Sequence, residues 1–328
     1  MPVKYDSQIS IVLYRTTVYY HWSMETQLAH TLLMVEPTTF GYNPQTAKSN
    51  TFQHKATVTD VAIQQNAQNE FTQAVSVLRS HDLDILVMPS PSGVVVPDAV
   101  FPNNWFSVHD QATLVLYPML APNRRLERQP VALERALADM LPKLRIMDLS
   151  HHETEKRYLE GTGSLVLDRV HRVAFAVISP RTDEGLVREW GDLMGYRVVP
   201  FYAETAADHA PIYHTNVLMT IGNGFCVIGM ECIPDGQMRR DIEHTITLLG
   251  LERIDLTPDQ VASFCGNMLA VSNTQNAVKL ILSETAFHAF TQAQRRKLSR
   301  YGELVPLRIP TIERVGGGSA RCMIAEIC

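Results

Sequence analysis

A pattern that recurs five times along the chain constrains its fold more than any other feature of the sequence. In each copy a polar residue precedes an apolar strand, a turn, a second strand, an amphipathic helix and a short third strand. The copies open at residues 104, 160, 214, 266 and 322, so the successive steps are 56, 54, 52 and 56 residues. A nearly constant step of this length is the signature of a radial or solenoid repeat. The sequence therefore predicts repeated β-β-α-β units.

The clearest copies open at Glu160 and His214. In the second of these, the Asn223-Gly224 pair between two apolar runs is a strong hairpin signal, because both residues tolerate positive φ. For the first copy we expect strands over 164–167, 173–178 and 196–199 and a helix over 186–194. For the second we expect strands over 217–220, 225–228 and 252–256 and a helix over 238–249.

The last copy contains only one strand, over 323–327, and its other elements can come from the beginning of the chain. There the pattern predicts a strand over 31–35, a helix over 70–79 and a strand over 84–88. Pairing these strands would close a ring and remove exposed sheet edges. We therefore predict an α/β fold, a five-bladed α/β propeller in a single domain over 26–328. The alternative is an open α+β sheet in which the spacing is a coincidence.

Residues 1–25 lie outside the repeat, and we expect an N-terminal extension there: an arm, an oligomer contact or a disordered segment. The repeat does not assign this segment a role. The oligomeric state also stays open, and a homo-oligomer is one of the possibilities. The chain has 328 residues, and domains of about 150 residues are common, yet one ring accounts for the whole repeat.

Composition and charge exclude several classes of partner. The net charge is -5 and no segment concentrates basic residues, so a nucleic-acid partner is not expected. The apolar runs are strand-sized and fall short of the ~20 residues that span a bilayer, so no membrane partner is expected either. Five cysteines, an odd number without a framework of close pairs, favour a reducing compartment, and we predict the cytoplasm. A small neutral or zwitterionic molecule is a better match, as a binding partner, for this mildly negative net charge.

Residues at equivalent openings of a ring should converge near its axis, and three of them carry chemistry. Glu160, His214 and Cys322 supply an orienting carboxylate, a general acid/base and a thiol nucleophile. A cysteine attacks as thiolate, so we expect a neighbouring imidazolium or backbone donors to lower its pKa. Gly316–Gly318, just before the cysteine, would allow a ligand to approach the backbone closely.

Each of these residue types, taken alone, also fits a purely structural role. A single cysteine is more often a small buried hydrophobic residue, which is what we expect of Cys226, Cys232 and Cys265. A propeller that only binds a ligand is the alternative from another functional class. The joint occurrence of three catalytic residue types at equivalent positions favours an enzyme.

The motifs of the chain resemble those of the guanidine-modifying superfamily, which includes amidinotransferases and arginine deiminases and has the pentein fold. The resemblance covers about 31–328, and among its branches the citrulline-utilisation hydrolases are the most similar by motif. The motifs are Phe-Pro-Asn-Asn-Trp at 101–105, Pro-Asn-Arg-Arg-Leu-Glu at 122–127, Leu-Glu-Gly-Thr-Gly-Ser at 159–164, Ser-Pro-Arg-Thr at 179–182, His-Thr-Asn at 214–216 and Gly-Gly-Gly-Ser-Ala-Arg-Cys at 316–322.

The resemblance implies a role for each matched residue. Cys322 would attack the central carbon of a guanidino or ureido group, His214 would shuttle protons, and Glu160 would contact the histidine or the substrate nitrogens. Arg124 and Arg181 match arginines that hold the carboxylate of an amino-acid substrate, a task that suits a planar guanidinium. No metal and no organic cofactor is implied.

Two departures from the family pattern bear on the substrate. Guanidinium-binding members usually have aspartates at the positions of Asn104 and Asn216, and both are amides in this chain. An amide offers a donor and an acceptor without charge, so a neutral ureido group suits these positions better than a guanidinium. We therefore predict a citrulline hydrolase that releases ornithine, ammonia and carbon dioxide. An arginine deiminase and an N-substituted arginine hydrolase, acting on succinyl- or dimethylarginine, stay open as alternatives.

Overall fold

The computed structural model describes residues 26–110 and 112–328. The extension predicted over residues 1–25 lies outside the described residues. Fifteen strands are described, in chain order β1 (Thr31–Val35), β2 (Asp84–Met88), β3 (Phe106–His109), β4 (Thr113–Leu116), β5 (Arg145–Asp148), β6 (Val166–Asp168), β7 (Val173–Val177), β8 (Arg197–Phe201), β9 (Met219–Gly222), β10 (Phe225–Ile228), β11 (Glu252–Asp255), β12 (Leu269–Ser272), β13 (Val278–Ser283), β14 (Glu303–Leu307) and β15 (Ala325–Ile327).

The described strands form five three-stranded sheets with the same connectivity. In every sheet the first and second strands pair antiparallel, and the second and third pair parallel. One sheet combines the two ends of the described chain, because β15 pairs antiparallel with β1 and Thr31 lies opposite Ile327. The predicted β-β-α-β units and the completion of the last unit by the first are therefore confirmed. The molecule is a mixed α/β protein of five small sheets.

Helices provide the parallel crossovers between second and third strands. Ten α-helical segments are described: α1 (Asp60–Ser80), α2 (Pro122–Arg125), α3 (Pro130–Leu137), α4 (Gly161–Ser164), α5 (Glu184–Met194), α6 (Thr215–Leu218), α7 (Gly236–Leu248), α8 (Pro258–Ala262), α9 (Glu284–Ala289) and α10 (Gln292–Leu298). Several begin at side-chain caps that satisfy free backbone N–H groups, such as Asp183 for α5 and Asp235 for α7. Helix α1 begins ten residues before the predicted start, where the Thr59 side chain accepts from the Ala62 N–H.

Two predicted first strands begin later than expected. The residues just after Glu160 and His214 form the helical turns α4 and α6, and β6 and β9 follow them. Gly161 initiates the first of these turns with a φ of +48°, a conformation that glycine adopts without a steric penalty. The openings of the units are therefore short buried turns that lead into the strands, and these turns carry the candidate site.

Four apolar clusters pack between the sheets and their helices. The second strands of the sheets are mostly buried; all five residues of β7 are buried, for example. Such continuous runs are typical of strands covered on both sides. Among the described residues no helix has the length and apolarity needed to cross a bilayer.

Candidate active site

The turns that open the units pack against one another. Helix α4 contacts both the 3₁₀ turn at Pro102–Asn104 and α6, and that 3₁₀ turn also contacts the one at Ala320–Met323. The Cβ of any other residue at Gly161 would lie 2.3 Å from the Asn103 carbonyl oxygen, so this close approach requires glycine. The convergence that the repeat predicts is thus what the structure shows, although the openings are more than 50 residues apart along the chain.

Glu160 and His214 form a hydrogen-bonded pair at this junction. The Oε2 atom of Glu160 lies 2.9 Å from Nε2 of His214, and both side chains are buried. Burial opposes the charge on Glu160, but Arg181 and His214 outweigh it and hold its pKa below the ordinary value. Burial is also the main reason why the pKa of His214 falls to about 4, despite the bond to Glu160. At neutral pH the pair consists of a carboxylate and a neutral imidazole.

The chemistry of this pair fixes the histidine tautomer. An ionised carboxylate only accepts hydrogen bonds, so Nε2 of His214 carries the ring proton and Nδ1 holds the lone pair. Nδ1 lies beside Gly163, where a Cβ would be 2.7 Å away. His214 is therefore oriented as a base with Nδ1 as the reactive nitrogen. Nδ1 fits at this position because Gly163 has no side chain.

Cys322 is buried, and two amides contact its sulfur. Nδ2 of Asn267 lies 3.2 Å from Sγ, and Nδ2 of Asn216 lies 3.7 Å from it. Burial raises the pKa of the Cys322 thiol above its ordinary value, while hydrogen bonds at Ser319 and from Asn267 act in the opposite direction. The expected lowering of this pKa by an imidazolium or backbone donors is therefore not found, because His214 is uncharged at neutral pH and burial outweighs the donors. The same burial raises the pKa of Cys226, Cys232 and Cys265.

Arg124 is engaged by protein acceptors. It donates to both carboxylate oxygens of Glu127 at 2.9 Å, and its Nη1 donates to Oδ1 of Asn104 at 2.7 Å. Asn104 in turn donates from Nδ2 to Oδ1 of Asn103. Nη2 of Arg124 also donates to the Phe101 carbonyl at 3.2 Å, so four of the five N–H groups of this guanidinium are used within the protein. The carboxylate contact predicted for Arg124 stays a prediction.

Arg181 has more capacity for a ligand. It donates to Oε2 of Glu160 at 3.3 Å, to Oγ of Ser49 at 3.0 Å and to the Thr46 carbonyl at 3.0 Å, and its guanidinium lies over the Tyr213 ring. A guanidinium has five N–H donors, so these three bonds leave donors for a substrate carboxylate. Ser49 and Thr46 belong to the segment between β1 and α1, which thereby covers this side of the site.

A small cleft brings these groups together. Its cavity volume is about 10 Å³, room for roughly one water molecule. It is lined by five of the seven residues predicted for the site, together with Asp98, Tyr213 and the glycines before the cysteine: Asn50, Asp98, Phe101, Asn104, Arg124, Arg181, Tyr213, His214, Gly316, Gly317, Gly318 and Cys322. Of the other two, Glu160 bonds His214 and Asn216 contacts the sulfur.

Asp98 is a site residue that the sequence pattern did not indicate. Its Oδ2 accepts from Asn43 at 2.7 Å and Thr46 at 3.0 Å, whereas its buried Oδ1 has no hydrogen-bond partner among the described residues. A buried carboxylate oxygen without a donor is costly, and at the wall of a cleft it marks a place for a ligand donor. Asp98 lies six residues before an opening, where the repeat carries no signal.

The segment before the nucleophile is held by a buried carboxylate and a tyrosine hydroxyl. Glu313, in a π-helical turn, accepts from Ser319 at 2.5 Å and Thr285 at 2.6 Å, and the Cys322 N–H donates to the Ser319 carbonyl. Gly317 has a φ of +66°, and its carbonyl accepts from the Tyr213 hydroxyl at 2.5 Å. These contacts fix the position of the thiol in the cleft.

The five β-β-α-β units bring together a buried thiol, a carboxylate–imidazole pair and two arginines. This combination is typical of the guanidine-modifying class of hydrolases. A family model described as N,N dimethylarginine dimethylhydrolase, eukaryotic, matches residues 36–328. The chain belongs to this family. No curated protein matches the chain.

Solved structures share the fold at low sequence identity. ArgZ, an arginine dihydrolase from the ornithine-ammonia cycle in cyanobacteria, has a TM-score of 0.66 and 17% identity over 90% of this chain and 40% of its own. The N-terminal domain of ArgZ, with a covalently bound reaction intermediate, has a TM-score of 0.66 and 17% identity over 91% of this chain and 97% of its own. A dimethylarginine dimethylhydrolase mutant from Pseudomonas aeruginosa, in complex with citrulline, has a TM-score of 0.60 and 12% identity over 92% of this chain and 100% of its own. The chain thus spans less than half of full-length ArgZ.

Proposed function

We propose that the protein hydrolyses the ureido group of citrulline, with Cys322 as nucleophile, His214 as acid/base and Glu160 as the residue that orients it. The observation that carries this proposal is the absence of charge at Asn104 and Asn216. Asn216 contacts the sulfur, and Asn104 lies next to His214 across Gly163. A guanidinium bound against the thiol would find two amides there, whereas a ureido oxygen and nitrogen find a donor and an acceptor.

The remaining acidic groups of the site support this choice. Glu160 is neutralised by its contacts with Arg181 and His214, and Glu127 forms a two-point ion pair with Arg124. Burying a further cation at the reacting end would need an unpaired carboxylate next to it. The free oxygen of Asp98 is the exception, and we propose that it receives the α-ammonium group of the substrate. Arg181 would hold the substrate α-carboxylate.

The reaction follows in two balanced steps. The thiol proton passes to Nδ1 of His214, sulfur bonds to the ureido carbon, and one C–N bond breaks as the leaving nitrogen takes that proton from His214. Amide and backbone N–H groups near Cys322 would stabilise the oxyanion. Water then attacks the carbonyl of the thioester-like intermediate, its proton returns to sulfur through His214, and the S–C bond breaks. The released carbamate loses carbon dioxide, so citrulline and water give ornithine, ammonia and carbon dioxide.

We also propose that the five sheets close into a propeller ring within one domain over 26–328, with 1–25 as a separate extension. The pairing of β15 with β1 supports closure, as do contacts of β15 with β3, β6 with β9 and β9 with β12. Cys226, Cys232, Cys265 and Cys322 are free thiols, which supports the proposed location in the cytoplasm.

A second candidate is hydrolysis of an arginine-type guanidino group. It is favoured by the family description, which names dimethylarginine, and by the arginine dihydrolases among the structural neighbours. Substrates of this kind would give citrulline, or ornithine if the reaction continued through both steps.

A product assay on separate substrates tests the proposal. The protein is incubated with citrulline, arginine or dimethylarginine, and ornithine, citrulline and ammonia are measured. Ornithine and ammonia from citrulline are expected, with no turnover by Cys322→Ala. Citrulline that accumulates from arginine or dimethylarginine, with no consumption of free citrulline, would refute the ureido assignment.

A further inference from the structure

Asn267 makes the shorter of the two amide contacts with the nucleophile. Its Nδ2 lies 3.2 Å from Cys322 Sγ, against 3.7 Å for the corresponding atom of Asn216. Asn267 is fully buried and precedes β12, at the opening of the unit in which we identified no chemistry from the sequence. It therefore lies one residue after the place in its unit that Glu160 and His214 occupy in theirs.

The orientation of this amide is fixed by its other partners. Oδ1 of Asn267 accepts the backbone N–H of Arg321 at 3.1 Å, and a backbone N–H only donates. The oxygen must therefore face Arg321, and the nitrogen must face the sulfur. Nδ2 has two hydrogens, and the second is donated to the Asn216 carbonyl at 2.9 Å. The amide flip that often leaves such contacts ambiguous is excluded by the network.

The sulfur needs a donor of this kind because its surroundings do not favour a negative charge. The thiol is buried, and the neighbouring His214 is neutral. The Arg321 side chain, next in sequence, is engaged by the Ile324 carbonyl at 2.8 Å and by Glu326 at 2.7 Å. A pre-oriented N–H donor in a water-excluded site stabilises a developing anion far better than the same group does in water.

We propose that Asn267 is a catalytic residue whose Nδ2 donates a hydrogen bond to Cys322 Sγ whenever the sulfur carries negative charge. This happens twice in each cycle, when the thiolate attacks and when it leaves. The inference rests on the proposed role of Cys322 as nucleophile, but it does not depend on which substrate is used. Asn216 is the weaker donor, and its distance to the sulfur suits contact with the substrate as well.

The test measures the pH dependence of Cys322 alkylation by iodoacetamide, with peptide mass spectrometry separating Cys322 from the other four thiols. Asn267→Asp still accepts from the Arg321 N–H but replaces the donor to sulfur by a negative charge, so it combines loss of the donor with repulsion, whereas Asn267→Ala removes the donor alone. We expect the midpoint of the alkylation profile to rise by at least one pH unit, which means about tenfold slower labelling at pH 8. In Asn267→Ala the midpoint of the alkylation profile should also rise, but by less than in Asn267→Asp.

Asn273→Asp is the matched control. Asn273 is also buried and accepts two backbone N–H bonds, from Gln275 at 3.0 Å and Ala277 at 2.8 Å, but it lies in the turn between β12 and β13. This control should leave the Cys322 profile unchanged. Asn267→Ala, which has no donor at this position, serves alone if thermal unfolding shows that the aspartate variant does not fold.

An unchanged alkylation profile in any folded Asn267 variant would overturn the proposal. Alkylation needs no substrate, so a protein that fails to hydrolyse citrulline yet shows the shifted profile would refute the proposed substrate and still support the role of Asn267. With an active substrate, kcat of Asn267→Asp should fall about 10²-fold, the typical effect of removing one donor to a developing anion.

Discussion

Glu160 and His214 share a buried hydrogen bond between Oε2 and Nε2, 2.9 Å long, and the other oxygen of Glu160 accepts the backbone N–H of Leu120 at 3.1 Å. The carboxylate therefore acts as an acceptor on both sides. This arrangement requires the ring proton of His214 on Nε2 and leaves Nδ1 as the base. The tautomer of the histidine thus depends on a contact at Leu120, a residue about 40 positions away from Glu160 in the chain.

Glu160→Gln should abolish this arrangement while keeping the size of the side chain. A glutamine has one acceptor oxygen, whereas Glu160 accepts from Leu120 on one oxygen and from His214 and Arg181 on the other. With the oxygen towards Leu120, the NH₂ faces Nε2 and the ring proton moves to Nδ1, where a base is needed; with the oxygen towards His214, the charge that holds the imidazole is lost. We expect kcat to fall about 10²- to 10⁴-fold, the range for loss of general acid–base catalysis. The measurement is steady-state kcat on the preferred substrate.

The control for this variant is Glu184→Gln, an i,i+4 partner of Arg188 at the surface. It removes the same charge from an exposed pair and should leave kcat unchanged, because such pairs contribute little. Near-normal turnover by Glu160→Gln would show that the histidine tautomer does not depend on the carboxylate.

Gly163→Ala should inactivate the protein without unfolding it. A Cβ at this position would lie 2.5 Å from Nδ2 of Asn104 and 2.7 Å from Nδ1 of His214, so both groups would have to move. Displacements of about 1 Å at reacting groups cost about 10² in rate, and we expect a loss of at least that size in kcat. Gly236→Ala is the control, because its Cβ would meet only the ends of flexible arginines at 3.6 and 3.8 Å. Equal activity of the two variants would contradict the assigned geometry.

The pH dependence of kcat/KM should lack the acid limb that an ordinary histidine produces. Burial lowers the pKa of His214 to about 4, so the base stays unprotonated from pH 5 upward. Burial raises the pKa of Cys322, so the thiol that supplies the proton for the leaving nitrogen stays protonated at neutral pH. We expect kcat/KM to be flat from about pH 6 to 8 and to fall at higher pH as the thiol ionises, since this ratio reports on the free enzyme. A fall in kcat/KM below pH 6.5 would show that His214 titrates normally.

The repeat allowed much of this architecture to be predicted. The boundaries of β1 and β2 agree with the predicted strands, and the unit shared between the chain ends is present. Placing Glu160, His214 and Cys322 at equivalent openings also predicted that they would lie close together. These inferences depend only on periodicity and spacing, which are properties of the sequence.

Other features depend on contacts between distant segments and carry no such signal. Asp98 becomes a site residue because it lines the cleft and one of its carboxylate oxygens is buried without a donor among the described residues. The state of Cys322 depends on burial, which the sequence does not specify residue by residue. Asn267 could have been found, since it follows an opening of the repeat, but its importance lies in the orientation set by the Arg321 N–H.

The amide at position 216 offers the cleanest test of substrate charge. Asn104 is less suitable, because its Nδ2 donates to Oδ1 of Asn103 at 3.0 Å, and an aspartate would place two acceptors against each other. Asn216 contacts the sulfur through Nδ2. A carboxylate there would lie next to the reacting carbon without breaking a bond to another buried acceptor side chain.

Asn216→Asp should therefore shift the preference from citrulline towards arginine. A charge pair about 4 Å apart is worth roughly 4 kcal/mol at an effective dielectric of 20, so even a partly solvated pair should raise the ratio of kcat/KM for arginine over citrulline at least about tenfold. Turnover of citrulline should fall, because a negative charge beside Sγ disfavours the thiolate. Asn216→Ala separates the two effects: it removes the amide without adding charge, so it should slow citrulline hydrolysis and leave the ratio unchanged. If both variants give the same ratio, charge at this position does not select the substrate.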